Sequence, residues 1–193
     1  MTKASPRAGS RGRLLVLSGP SGVGKSAVAE RVLKDPRFAR ALTATTRPPR
    51  AGEKDGVAYL FLAHPEFEKR VAAGWFLEHA DVYGNLYGTP RSSVESVLAS
   101  GRHCLLVIDV QGVASLRKSG VEARYVFLLA PSSEHLERRL RGRGLDSAEE
   151  IAKRLAAAER ELAEKRHFDT VLVNDDLEAT ARKLALEVGV DLP

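Results

Sequence analysis

The segment Gly19-Pro20-Ser21-Gly22-Val23-Gly24-Lys25-Ser26 fits the pattern G-x-x-x-x-G-K-[ST] without a mismatch. Its glycines let successive backbone N–H groups turn inward around a phosphate. The Lys25 ammonium reaches terminal phosphates as a compact charge, and the Ser26 hydroxyl is a ligand type suited to Mg²⁺. A helix opening near Gly24 adds the positive end of its dipole. A chance glycine-rich turn would not need the context found here, an apolar run Leu14–Leu17 before the loop and a helical pattern after it. Nucleotide-phosphate binding is the chemistry this spacing predicts. A second apolar run, Leu105-Leu106-Val107-Ile108-Asp109, ends in an aspartate, as the metal-placing strand of phosphate-loop proteins does.

Thr45-Thr46-Arg47-Pro48-Pro49-Arg50-Ala51-Gly52-Glu53 offers a second anion receptor. Polyproline II has three residues per turn, so Arg47 and Arg50 are expected on one side of a stiff Pro-Pro spacer. Two guanidinium forks held at low entropic cost suit a phosphate dianion, and Tyr59 and Tyr87 can add hydroxyl donors. Alone, Arg-Pro-Pro-Arg suits a solvated loop or a proline-rich ligand equally well.

These residues need a scaffold, and the pattern around them supplies one. Short apolar runs alternate with helical stretches, the signature of an α/β domain with a mainly parallel sheet. Strands are predicted at Leu14–Ser18, His103–Asp109, Arg124–Ala130 and Thr170–Asn174, and helices at Gly24–Lys34, Pro90–Ala99, Ser132–Arg141, Ser147–Lys165 and Leu177–Val188. Ser147 with Glu150 makes a capping-box pattern for the fourth helix. Two stretches break the rhythm: Thr43–Thr89, with short strands and a small helix around Glu66–Ala73, and the charge-dense Arg138–Lys153.

With 193 residues and 44% apolar composition, the chain can bury a core without disulfide or metal staples. Its net charge of +5 suits phosphate-bearing partners. The arginines gather at Arg47/Arg50 and Arg138–Arg143, without interleaved aromatics, which fits phosphate clamps better than a nucleic-acid surface. The basic N-terminus leads into no signal-peptide core, because the apolar stretch breaks at Ser18-Gly19-Pro20. A single cysteine, Cys104, suits a reducing cytoplasm. Cys104 and the adjoining His103 cannot close a tetrahedral zinc site alone, and Ser21 and Ser26 lack a histidine at hydrolase spacing. Trp75 beside Phe76 reads as core packing.

The phosphate loop, Thr45–Glu53, Phe76-Leu77-Glu78-His79-Ala80, Tyr83-Gly84-Asn85-Leu86-Tyr87-Gly88-Thr89, Ile108-Asp109-Val110-Gln111-Gly112, Arg138–Gly144 and Val173-Asn174-Asp175-Asp176 follow one another as in guanylate kinase, which the chain resembles from about Arg13 to Val188. The resemblance implies a P-loop nucleoside-monophosphate kinase fold. That means a parallel-sheet core at 13–42, 90–130 and 155–189, a GMP-binding insert at 43–89, a lid at 131–154, and a basic tail at 1–12. It implies transfer of the ATP γ-phosphoryl group to GMP, and to dGMP, with Mg²⁺ at Ser26. Position by position, Arg47, Arg50, Tyr59 and Tyr87 would hold the GMP phosphate, while Thr43, Glu78, Thr89 and Asp109 would fall around the guanine and the adjoining site. Lys25, Arg139, Arg143 and Arg154 would meet the transferring phosphates as catalytic residues, and Asn174 would lie near the adenine of ATP, whose phosphates occupy Gly19–Ser26. The sequence departs from the family pattern at Thr43, at Leu86 (which replaces a tyrosine) and at Val107 (where an acid is common). The expected partners are ATP and GMP rather than nucleic acid or membrane, with a monomer or small homo-oligomer in the cytoplasm. Three other readings share some of these features: another small phosphate-loop kinase, a non-catalytic guanylate-kinase-like scaffold, and a nucleic-acid binder. Intact Lys25 and Ser26 disfavour the scaffold.

Overall fold

The computed structural model describes residues 11–82, 84–142 and 148–193. The basic tail to residue 10, Tyr83, the cap residue Ser147 and the candidate Arg143 lie outside that range. Strand order in the larger sheet is β2-β7-β1-β8-β9, and in the smaller one β4-β3-β6-β5. These strands are β1 Leu14–Ser18, β2 Phe38–Arg40, β3 Ala44–Thr45, β4 Leu60–Phe61, β5 Phe76–Val82, β6 Asn85–Pro90, β7 His103–Val107, β8 Arg124–Leu129 and β9 Thr170–Val173. The helices are α1 Lys25–Val32, α2 His64–Ala72, α3 Arg91–Ala99, α4 Val110–Lys118, α5 Ser133–Arg141, α6 Ala148–Ala163 and α7 Leu177–Leu186. The chain divides into two units.

The unit formed by Leu15–Asp35, Leu105–Val110 and Ala123–Pro193 carries the phosphate loop. All five residues of β1 are buried, as expected of a strand covered on both faces. β1 runs parallel to β8 with Leu17 opposite Val126, and β8 runs parallel to β9 with Leu128 opposite Leu172. Helix α1 buries Val28, Ala29 and Val32 and packs against α7, where Arg31 Nε meets Glu178 Oε2 at 2.6 Å. The side chain of Asp176 caps α7 by accepting from Ala179 N, and Ser132 caps α5 by accepting from His135 N. The helix predicted to Lys165 ends at Ala163 and tightens into a 3₁₀ turn, Glu164–His167.

The unit built from Pro36–Cys104 and Gln111–Glu122, with the chain up to Leu14, carries the arginine segment. β6 is antiparallel to both β3 and β5, and β3 is parallel to β4. Phe67, Phe76 and Ala44 form its core, with Leu60, Leu62, Val71, Trp75 and Leu86 packed around them. Phe67 and Phe76 stack with centroids 4.4 Å apart, and Trp75 meets Phe76 edge-on at 4.9 Å. A Cβ at Gly88 would come within 2.7 Å of Phe76 Cδ1, so only glycine lets β6 pass the rings. Leu86 belongs to this cluster, which gives its departure from the family tyrosine a packing role.

Two sequence expectations need correction. The strand predicted at His103–Asp109 stops at Val107, leaving Asp109 at the junction with α4. Helix α4 itself is not predicted by the pattern. It contains Gly112 and the β-branched Val110 and Val113, weak helix formers, and its buried residues are Gly112, Val113 and Leu116. Packing rather than propensity explains it.

Candidate active site

The phosphate loop leaves β1 at Ser18 and enters α1 at Lys25. Its close approach to the structure behind it requires glycine at two points. At Gly19 (φ +139°) a Cβ would lie 2.3 Å from the Leu128 carbonyl oxygen, and at Gly24 (φ +98°) it would lie 2.4 Å from Asn174 Nδ2. Lys25 Nζ donates to the carbonyl oxygens of Gly19 and, at 3.0 Å, Pro20. Ser26 is exposed on the first turn of α1.

Three candidates converge on this loop. Arg139, from α5, donates through Nη1 to the Val23 carbonyl at 3.0 Å and through Nη2 to the Asn174 carbonyl at 3.1 Å. Arg154, from α6, donates through Nη1 to Ser21 Oγ at 3.2 Å. Asn174 is buried, and its Nδ2 donates to the same Val23 carbonyl at 2.8 Å. The observed geometry therefore makes Asn174 a pin on the loop. Asp109 is half-buried in the same unit.

One residue near the loop carries no sequence motif. Glu161, on α6, has its carboxyl pushed above the usual range, first by burial and then by the Asp109 charge, while Lys25 and Arg160 pull it down. That pattern places Glu161 in the field of both Lys25 and Asp109. The available signal is helical register: seven residues from Arg154 is about 20° short of two full turns, so both fall on one face.

The arginine segment is organised differently from a bare polyproline spacer. Arg47 Nη2 donates to Glu53 Oε1 and Oε2 at 2.9 and 3.0 Å, and Nη1 donates to the Pro48 carbonyl at 2.6 Å. The guanidinium lies 5.6 Å from the Tyr59 ring centroid, and Tyr59 meets Tyr87 edge-on at 6.2 Å. Burial works against the Arg47 charge, but hydrogen bonds with Glu53 and Tyr87 outweigh it and hold its pKa above the usual arginine value. The Arg50 side chain is exposed. Sequence reasoning assigns Glu53 no role; the visible signal was an acid closing the Arg50–Glu53 turn.

Across β5 and β6, Glu78 stands opposite Thr89. Both are buried, Glu78 only 4% exposed, and the Thr89 hydroxyl donates to Glu78 Oε1 at 2.5 Å. A carboxylate so deep is costly unless hydrogen-bonded, and the Thr89 hydroxyl supplies one such bond. Thr43 is also buried, at the entry to β3. Arg47, Tyr59 and Tyr87 are thus brought together with Glu53, and Glu78 with Thr89, in one unit. Asp109 falls with Lys25 in the other.

The oxygen-donor chemistry fits a hydrated divalent cation. Among the described residues no three His, Cys, Asp or Glu side chains gather into a metal cage, whereas the exposed Ser26 hydroxyl adjoins Lys25. Mg²⁺ characteristically keeps waters and takes phosphate oxygens, with few protein ligands.

The guanylate kinase family model matches residues 11–188. A guanylate kinase of Thermus thermophilus is 50% identical over 179 residues, covering 92% of this chain and 80% of that protein. One from Synechococcus sp. (strain CC9902) is 47% identical over 183 residues, covering 94% and 98%. Among solved structures, guanylate kinase from Anaplasma phagocytophilum superposes with a TM-score of 0.74 at 35% identity, covering 92% of this chain and 84% of that one. Family match, relatives and superposition agree with one another, and the chain belongs to the guanylate kinase family.

Proposed function

We propose that the protein is a nucleoside-monophosphate kinase that transfers the γ-phosphoryl group of ATP to GMP, giving ADP and GDP, and to dGMP, giving ADP and dGDP. The buried Glu78–Thr89 pair carries the choice of acceptor. Guanine presents N1–H and N2–H donors side by side, which an ionised carboxylate accepts together, and the Thr43 hydroxyl can donate to O6. Adenine would turn a lone pair toward the same carboxylate. Arg47, Arg50, Tyr59 and Tyr87 bind the GMP phosphate, a role supported by the Arg47–Tyr59–Tyr87 cluster.

On the ATP side, the backbone of Gly19–Ser26 cradles the phosphates. Lys25, Arg139, Arg143 and Arg154 stabilise the charge that spreads over the transferring oxygens, and Asn174 holds the loop against them. Hydrogen bonds from Arg139 and Arg154 to the loop support this assignment. No general base is required, because the attacking phosphate oxygen is already ionised. A divalent cation, Mg²⁺, would accompany ATP; Ser26 would hold it, with Asp109 in the same unit, and it would supply positive charge that offsets the phosphate oxygens. No helix among the described residues is long and apolar enough to cross a membrane. We place the enzyme in the cytoplasm, as a monomer or small homo-oligomer without a nucleic-acid partner.

A coupled assay with ATP and a panel of GMP, dGMP, AMP, CMP and UMP tests the assignment. Turnover confined to the two guanine nucleotides is expected; preference for another base would overturn it.

A further inference from the structure

Glu53 engages the substrate-side arginines at three points. Its carboxylate accepts twice from Arg47 Nη2, at 2.9 and 3.0 Å, and Oε2 also accepts from the backbone N–H of Arg50 at 2.7 Å. Its own N–H donates to the Arg50 carbonyl at 3.0 Å, closing a turn whose third position is Gly52 at φ +85°. A turn of that kind needs glycine there. The short segment Arg50–Glu53 is thus folded back on itself so that one carboxylate reaches both arginines. Arg47 and Glu53 are largely withdrawn from solvent, with side chains 14% and 21% exposed, so the pair is better shielded than an ordinary surface bridge.

We infer that Glu53 is a positioning residue for the acceptor's phosphate. It holds the Arg47 fork and the Arg50 backbone in place before the substrate arrives, so that little side-chain and loop entropy remains to be lost on binding. Arg47 keeps donors for the phosphate, because a guanidinium carries five N–H groups, of which Glu53 engages those on Nη2, and the Pro48 carbonyl and Tyr87 do not exhaust the rest. The opposing possibility is that Glu53 is a competitor that the phosphate must evict. The turn argues against it: the carboxylate is held by both the Arg47 fork and the Arg50 N–H within a turn that the Glu53 N–H closes on the Arg50 carbonyl, so eviction would break all of these contacts together.

The inference rests on the reading that Arg47 and Arg50 bind the GMP phosphate, and the test separates the two. Dissociation constants for GMP and for guanosine, which lacks the phosphate, are measured by calorimetry or competition on wild type, Glu53→Gln, Glu53→Asp, Arg47→Ala and the double variant Arg47→Ala/Glu53→Gln, with thermal melts on each. Expected for Glu53→Gln is a rise of about tenfold in the GMP constant, the worth of one charge-assisted hydrogen bond. The guanosine constant is expected unchanged and the ATP KM within a factor of about two. Glu53→Asp, which keeps the charge but is one methylene short, is expected to fall between, and it carries the test if the glutamine variant melts early. In the Arg47→Ala background the Glu53→Gln effect should shrink, because only the Arg50 N–H contact is left for Glu53 to act through. Unchanged or tighter GMP binding by Glu53→Gln overturns the inference, as does equal weakening of GMP and guanosine. Arg47→Ala that leaves the GMP constant unchanged overturns the phosphate-site reading itself.

Discussion

Replacing Glu78 by glutamine probes base selection with almost no change of shape. Glu78 is 4% exposed, and one of its oxygens already accepts from the Thr89 hydroxyl at 2.5 Å. A carboxylate offers about four lone-pair directions, enough to accept from Thr89 and from the paired N–H donors of guanine together. The amide has a single oxygen. If that oxygen stays with Thr89, the NH₂ faces the guanine donors and both charge-assisted bonds are lost, at about 1.5–3 kcal/mol each. If the amide flips, its oxygen serves guanine and the Thr89 hydroxyl can rotate to accept from the NH₂. The loss then falls to about 1.5 kcal/mol, roughly tenfold. The KM for GMP is therefore expected to rise by between about tenfold, if the amide flips, and about 10²- to 10⁴-fold, if it does not, and the preference for GMP over AMP to fall by the same factor.

Initial rates with GMP, AMP and ATP each varied measure these quantities. The ATP KM should move by less than about twofold, since Glu78 belongs to the unit without the phosphate loop. Thermal melts provide the control for folding: removing a buried charge should leave the protein as stable as wild type or more so. Thr89→Val removes only the hydroxyl that orients the carboxylate, and a smaller rise of about two- to tenfold is expected. An unchanged GMP KM and an unchanged GMP/AMP ratio in folded Glu78→Gln would refute the reasoning, and the base would have to be read elsewhere.

Three further outcomes are expected. Lys25→Met should lose at least about 10²-fold in kcat while melting normally, as measured by steady-state turnover; near-normal turnover would remove Lys25 from the catalytic group. Gly24→Ala places a side chain at φ +98° and 2.4 Å from Asn174 Nδ2, and should cost at least about 1–2 kcal/mol, seen as a Tm lower by roughly 2–8 °C. Cys104 is fully buried and its thiol is pushed up to about 12 by burial, against the opposing hydrogen bond with the Ala41 backbone. Its thiolate fraction at pH 8 should be about 10³-fold below that of an ordinary thiol, so thiol-reactive dye should label the native protein only as fast as it unfolds.

Much of the frame was legible because burial and pattern agree. Leu14–Ser18 is a run of five buried residues that only a doubly covered strand explains, and the glycine spacing after it leaves one local geometry. The departures have physical causes. Helix α4 is held by burial of Val113 and Leu116, which intrinsic propensity does not register. The residues around Arg47 suggested a polyproline rod, but the turn at Gly52 brings Glu53 back onto Arg47, an interaction between side chains that spacing alone does not specify. Glu161 shares a helix face with Arg154, as register can show, but only the packing of α6 decides that its carboxyl lies in the field of Lys25.

The contacts that hold the cations also suggest why they stay available to phosphates. Arg139 rests on the carbonyls of Val23 and Asn174, Arg154 on the Ser21 hydroxyl, and Lys25 on the carbonyls of Gly19 and Pro20. A neutral acceptor fixes the direction of a cation without cancelling its charge, so such contacts preorganise a site that must stabilise charge developing later. A carboxylate orients more strongly but subtracts a full charge. Glu53 accepts that trade at Arg47, where the proposed ligand is a phosphate dianion whose charge is the same before and after binding. On the phosphate-loop side, burial raises the pKa of the Glu161 carboxyl while the Lys25 charge pulls it down. The two carboxylates that sequence motifs overlook thus stand by different cations, Glu53 bonded directly to Arg47 and Glu161 in the field of Lys25.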